Sequence, residues 1–273
     1  MKHILLIGAL LAAHTGTVAR LHAQLPADDS TATARLNGSP RHGEWVKFDA
    51  GNGDSVRAWV VYPERRDRAP VVLVVQEIFG LSDWIRGVAD QLAADGFIAI
   101  APDMLSGKGP NGGGSETMDR QQMTAMTRTL AREEVMRRLQ AAARYGTSLP
   151  AATSRVGVVG FCWGGSTSFG LATAWAGLGA AVVYYGSSPA DSLLASVRSP
   201  VLGLYAGDDA RVNATVPPAQ AAMQRLGKTY EVEMYEGAGH GFLRQQSGRD
   251  GANMRATQAA WPRTVEFFRR HLR

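Results

Sequence analysis

Apolar residues fall along this chain in two alternating patterns. Short continuous runs recur, and stretches with one apolar face separate them. Residues 71–75 read Val-Val-Leu-Val-Val, the pattern of a strand buried on both faces of a parallel sheet. Similar runs at 97–100, 156–159, 181–185, 200–205 and 230–235 predict further strands. Between them, Trp84, Ile85, Val88 and Leu92 share one face of a helix expected over about 82–94. A second helix is expected over 116–144, on the spacing of Val135, Leu139 and Ala142, and a third over 217–226. At the end of the chain Met254, Trp261, Val265, Phe268 and Leu272 keep helical spacing, and Pro262 predicts that a fresh helix starts there. Before all of this, the alternation at 45–48 and 56–62 around Gly51-Asn52-Gly53-Asp54 predicts an antiparallel hairpin. Strands alternating with helices imply an α/β fold: a mostly parallel central sheet, helices on both faces and the hairpin at the N-terminal edge.

The first 23 residues differ from the rest. Lys2 and His3 precede an apolar run from Ile4 to Ala13, and small and polar residues follow to Ala23. This is the layout of a secretory signal, and the apolar run is short for a membrane span. Cleavage is expected after Ala23, with Ala19 as the alternative, giving an exported, periplasmic or secreted protein. Residues 24–43 carry Pro, Asp, Ser, Thr, Asn and Gly without periodicity and read as a flexible leader. Residues 44–273 then form one domain, long enough for a single large core.

Composition excludes some partners. The formal charge of the 273 residues is +5, of which Lys2 and Arg20 belong to the signal region. The remaining basic residues are scattered, with no basic run interleaved with aromatics, so no nucleic-acid partner is expected. Paired cysteines and His-Glu-x-x-His are both absent, so neither a metal nor a cofactor is expected. Gly107-Lys108 does not fit a phosphate loop. The glycine-rich stretch 105–115 cannot pack by itself and reads as a surface loop or as a flap over a site.

Candidate chemistry centres on the one cysteine. Val156-Gly157-Val158-Val159-Gly160-Phe161-Cys162-Trp163-Gly164-Gly165 runs from a strand through a tight turn into a helix. Gly-x-Cys-x-Gly has the form of a nucleophile elbow with a thiol in place of a hydroxyl. The other reading of a lone cysteine is a small buried core residue. A nucleophilic thiol needs a base. Of six histidines, His3, His14 and His22 lie in the signal region, His42 in the leader and His271 in the last helical turn. Only His240 stands in a glycine-flanked loop after the last strand. Asp208 and Asp209 follow the preceding strand, and either can orient an imidazole.

Four segments together resemble the dienelactone hydrolase family of the α/β-hydrolase superfamily. They are Gln76-Glu77-Ile78-Phe79-Gly80, Gly160-Phe161-Cys162-Trp163-Gly164-Gly165, Gly207-Asp208-Asp209-Ala210-Arg211-Val212 and Gly237-Ala238-Gly239-His240-Gly241-Phe242. The resemblance runs from about Trp45 to the C-terminus and selects Asp209 over Asp208. It implies an α/β-hydrolase fold and a Cys162–His240–Asp209 triad that cleaves carboxylic esters or lactones through an acyl-enzyme. It further implies that Glu77 takes the proton of the thiol, that the backbone N–H groups of Ile78 and Trp163 form an oxyanion hole, and that Arg244 and Arg120 bind substrate. The substrate is then a small molecule and the protein a monomer. The alternatives are a broad exported carboxylesterase on the same machinery and a hydrolase-fold binding protein without turnover.

Overall fold

In the computed structural model, which describes residues 24–273, the hairpin forms as the alternation requires. Strands β1 (Gly43–Gly51) and β2 (Asp54–Val61) pair antiparallel across Gly51, Asn52 and Gly53, all at positive φ. The later runs form β3 (Ala69–Val75), β4 (Ile98–Pro102), β5 (Ala152–Phe161), β6 (Ala180–Tyr184), β7 (Val201–Ala206) and β8 (Tyr230–Tyr235). The sheet order is β1-β2-β4-β3-β5-β6-β7-β8. The two pairings of β2 are antiparallel, and every later pairing is parallel.

The strands are apolar on both faces because helices cover both. Val71, Leu73 and Val75 pack into one core, and Val72 and Val74 into another, as the twofold period of a strand demands. The expected leader is not loose. Leu25 and Ala27 join the second core, and α1 (Ala32–Asn37) packs on α2 (Asp83–Ala94), whose Trp84, Ile85, Val88 and Leu92 face the sheet. This segment lacks periodicity because backbone carbonyls do much of the holding. Arg35, Gln246 and Trp84 donate to the carbonyls of Leu25, Pro26 and Ala27.

The helix expected over 116–144 is two helices, α3 (Arg120–Thr129) and α4 (Arg132–Ser148), parted by Leu130 and Ala131 in extended backbone. The loss of apolar spacing before Val135 marks this break. Helix α5 (Trp163–Ala174) follows the elbow, and α6 (Asp191–Leu194), α7 (Ala210–Asn213) and α8 (Val216–Arg225) follow later strands. Pro262 starts nothing: α9 (Ala252–His271) runs through it as one helix. Proline in a helix interior costs about 3 kcal/mol. Burial of Trp261, Val265, Phe267 and Phe268 against the sheet offsets that cost.

The glycine-rich stretch 105–115 is neither loose nor unpacked. The buried Asp103 carboxylate accepts from the N–H groups of Leu105 (2.9 Å) and Ser115 (2.8 Å) and from Ser115 Oγ (2.6 Å). Ser115 Oγ in turn accepts from the N–H of Leu81. One carboxylate thus closes both ends of the loop and ties it to the segment after β3. Asp103→Ala is expected to lower stability by about 1–3 kcal/mol in urea denaturation, because three donors lose their acceptor. The same variant should become cleavable by trypsin after Lys108 under conditions where the parent protein is resistant.

Candidate active site

Strand register sets the site. Val75 of β3 lies beside Gly160 of β5, so Glu77 and Cys162, each two residues further on, leave the sheet at one level. Phe161 lies beside Tyr184 of β6, which brings Tyr185 to the same level. The carboxyl ends of β7 and β8 lie alongside each other through Ala206 and Tyr235, and Asp209 and His240 follow them. Ligand sites of parallel α/β sheets form at this edge.

The elbow is as tight as its sequence implies. Cys162 has φ 57° and ψ −114°, strained for a residue with a Cβ, and its N–H donates to the carbonyl of Tyr184 at 3.1 Å. A Cβ at Gly160 would meet the carbonyl oxygen of Gly164 and Ser168 Oγ. One at Gly164 would meet the carbonyl oxygens of Val75 and Gln76. The start of α5 therefore rests on the backbone of β3, which brings Trp163 beside the segment carrying Ile78.

Electrostatics keep the sulfur protonated at rest. Burial pushes the Cys162 thiol up to about 11, and the Glu77 carboxylate adds to that; the Trp163 N–H and Arg211 oppose it. Glu77 is itself buried, and burial pushes its carboxyl up to about 7 against the pull of Arg244. Arg244 Nε stands 2.6 Å from Glu77 Oε2. Glu77 is thus both an ion-pair partner and the anion facing the thiol.

The two aspartates separate cleanly. Asp209 Oδ2 is buried 2.5 Å from His240 Nδ1. Asp208 faces solvent and pairs with Arg249 at 3.0 Å. An ionised Asp209 fixes the proton on Nδ1, which leaves Nε2 as the free ring nitrogen.

Both predicted arginines reach the site. Arg120 lies over one face of Phe79, with its guanidinium carbon 3.8 Å from the ring centroid, and Arg244 lies 5.2 Å from the same centroid. Among the described residues, no group of three or more His, Cys, Asp or Glu is placed to hold a metal ion.

Sequence reasoning missed Tyr185 and Asp29. Tyr185 has φ 38°, its ring centroid is 5.1 Å from that of His240, and its hydroxyl is buried without a partner among the described residues. Its place at a strand's carboxyl end was the available signal. Asp29 reaches Arg244 at 3.2 Å from a segment with no pattern to announce it.

A strained thiol elbow at the carboxyl edge of a parallel sheet, followed in chain order by an acid and its histidine, defines the α/β-hydrolase class. Comparison with known proteins narrows this. The profile of the dienelactone hydrolase family matches residues 56–272. A Salmonella typhi protein assigned as a carboxymethylenebutenolidase is 30% identical, over 79% of this chain and 83% of its own length. One from Methylorubrum extorquens with the same assignment is 31% identical, over 79% of this chain and 77% of its own length. The crystal structure of a protein assigned as a dienelactone hydrolase from Klebsiella pneumoniae superposes with a TM-score of 0.73 at 26% identity, covering 84% of this chain and 98% of that one. The chain belongs to the dienelactone hydrolase family and is a carboxylic ester hydrolase.

The raised carboxyl of Glu77 has a consequence for stability. A carboxyl whose folded pKa lies above its unfolded value stabilises the fold while protonated. That contribution is complete below about 4.5 and is lost as pH rises through about 7. The parent protein should therefore lose up to about 3 kcal/mol from this group between pH 4.5 and 7. Glu77→Gln should flatten that part of the profile, as read by melting temperature against pH.

Proposed function

We propose that Cys162, His240 and Asp209 act as nucleophile, proton carrier and orienting carboxylate in the hydrolysis of an ester or lactone. The observation that carries this reading is the 2.5 Å contact of His240 with Asp209 at the strand edge that also carries the Cys162 elbow. In this reading the Cys162 sulfur attacks the carbonyl carbon as a thiolate. The oxygen that becomes negative is held by the N–H groups of Trp163 and Ile78, each worth about 3 kcal/mol in the transition state. The thiol proton, relayed to His240 Nε2, goes to the departing alkoxide, leaving a thioester on Cys162. His240 then takes a proton from water, whose oxygen attacks the thioester, and returns that proton to the departing sulfur as the acid is released.

The resting thiol needs a proton acceptor, and Glu77 fits that part. Its carboxylate is the charge that disfavours a thiolate, so moving the thiol proton onto it removes the repulsion in the same step. Disturbing the Glu77–Arg244 ion pair frees the carboxylate to do this. A thiol held neutral between turnovers also resists oxidation better than a standing thiolate. The name carboxymethylenebutenolidase, carried by the relatives, supports a lactone among the substrates. The layout of residues 1–23 supports export with cleavage after Ala23, although this region lies outside the described residues. The exported chain is taken to work as a monomer.

Hydrolysis of 4-nitrophenyl acetate tests the assignment. Cys162→Ala and His240→Ala should each lower kcat/KM by at least about a thousandfold. Turnover that survives in Cys162→Ala would remove the mechanism. Glu77→Gln separates rest from action. Without the facing anion, iodoacetamide should alkylate Cys162 about tenfold faster at pH 7. Ester turnover by the same variant should fall, because the proton acceptor is gone.

A further inference from the structure

Arg244, late in the chain, sits between two carboxylates from the first third of the chain. Its Nε faces Glu77 at 2.6 Å, and its Nη1 faces Asp29 Oδ2 at 3.2 Å. The backbone repeats the second contact: the N–H of Asp29 donates to the carbonyl of Arg244 at 2.9 Å. The segment bearing Asp29 is held in place over a short span. The carbonyls of Leu25, Pro26 and Ala27 accept from Arg35 (2.7 Å), Gln246 (2.9 Å) and Trp84 (3.0 Å), and Thr33 Oγ1 donates to Asp83 at 2.7 Å. The segment itself, residues 25–35, lies outside residues 56–272, the part matched by the family profile, while the side chains that hold it from the domain lie within that part. The N-terminal segment thus adds a fixed negative charge to a site whose other parts come from the shared domain.

That charge bears on what the site admits. Arg244 stands beside Glu77, which faces the nucleophilic sulfur, and close to Phe79 at the rim. With Asp29 absent, one guanidinium would meet one carboxylate, and its outer edge would be free for an anion. With Asp29 in place, the outer edge is taken. An incoming carboxylate then meets two negative groups sharing one positive one.

We infer that Asp29 sets the charge preference of this site, occupying the outer edge of Arg244 and turning the hydrolase toward uncharged acyl groups. This rests on the reading of Cys162 as the nucleophile, and it adds a substrate class to that reading. Arg120, exposed over the Phe79 ring, remains open to a polar group on the substrate, and its charge also acts on Glu77.

The single cysteine permits a test that needs no turnover. The full chain and Asp29→Asn are alkylated with iodoacetate and with iodoacetamide, which carry the same leaving group and differ in charge. The ratio of the two rates reads the field at Cys162. Asp29→Asn should raise the iodoacetate-to-iodoacetamide ratio about threefold, a modest factor because Asp29 is half exposed and screened. Asp29→Glu should keep the parent ratio. The same variants are then compared on 4-nitrophenyl acetate and mono-4-nitrophenyl succinate. The kcat/KM ratio should move toward the anionic ester, mainly through KM. A purely structural Asp29 would lower the melting temperature and leave both ratios unchanged, which overturns the inference while leaving Cys162 as nucleophile. A shifted alkylation ratio in a protein that hydrolyses neither ester would uphold the field of Asp29 and sink the hydrolytic reading instead.

Discussion

The carbonyl oxygens of Val75 and Gln76 occupy the space where a side chain at Gly164 would stand. That approach of backbone to backbone locks the first turn of α5 onto the end of β3, and the other features of the site follow from it. It brings the elbow into positive φ at Cys162, and it brings the Glu77 segment against the sulfur. Glycine at 160 and 164 is therefore a geometric requirement of the elbow, since any Cβ there would part the thiol from its surroundings.

Around that contact runs a line of alternating charge: Asp29, Arg244, Glu77 and then the thiol. Each member changes the next. Burial opposes ionisation of Glu77, Arg244 favours it, and the Glu77 anion in turn holds the sulfur protonated. His240 and Asp209 approach from the other side on loops after β8 and β7. In the mechanism proposed above, the arrangement separates two roles that a serine hydrolase gives to one histidine: one carboxylate governs when the sulfur ionises, and the imidazole serves the leaving group and water.

Much of this was legible in the sequence, for identifiable reasons. The strands were plain because a parallel strand buried on two faces needs an uninterrupted apolar run. The elbow was plain because only small residues fit it. His240 emerged by elimination among few histidines, and Asp209 needed a family pattern, since two adjacent aspartates look alike until one is buried. The rest depended on tertiary context. Residues 24–37 are held partly by side chains that bond to their carbonyls, an attachment that leaves no imprint on which residues donate the backbone. Asp103 gave no sign that it would organise the glycine-rich loop, because the donor that closes the loop, Ser115, stands twelve residues away with no pattern linking the two. Pro262 misled because its cost is local whereas the burial that offsets it belongs to the whole sheet.

The contact between Asp29 and Arg244 spans 215 residues. Closing so long a loop costs little more than closing one half its length, because the entropy grows only with the logarithm of the separation. Its effect on timing is larger. During synthesis, Asp29 has no guanidinium to pair with until the stretch after the histidine loop has been made, although its segment already has Trp84 and Asp83 to hold it. Asp29 thus emerges long before its partner, so a partly folded chain would hold its elbow before it held its charge selectivity.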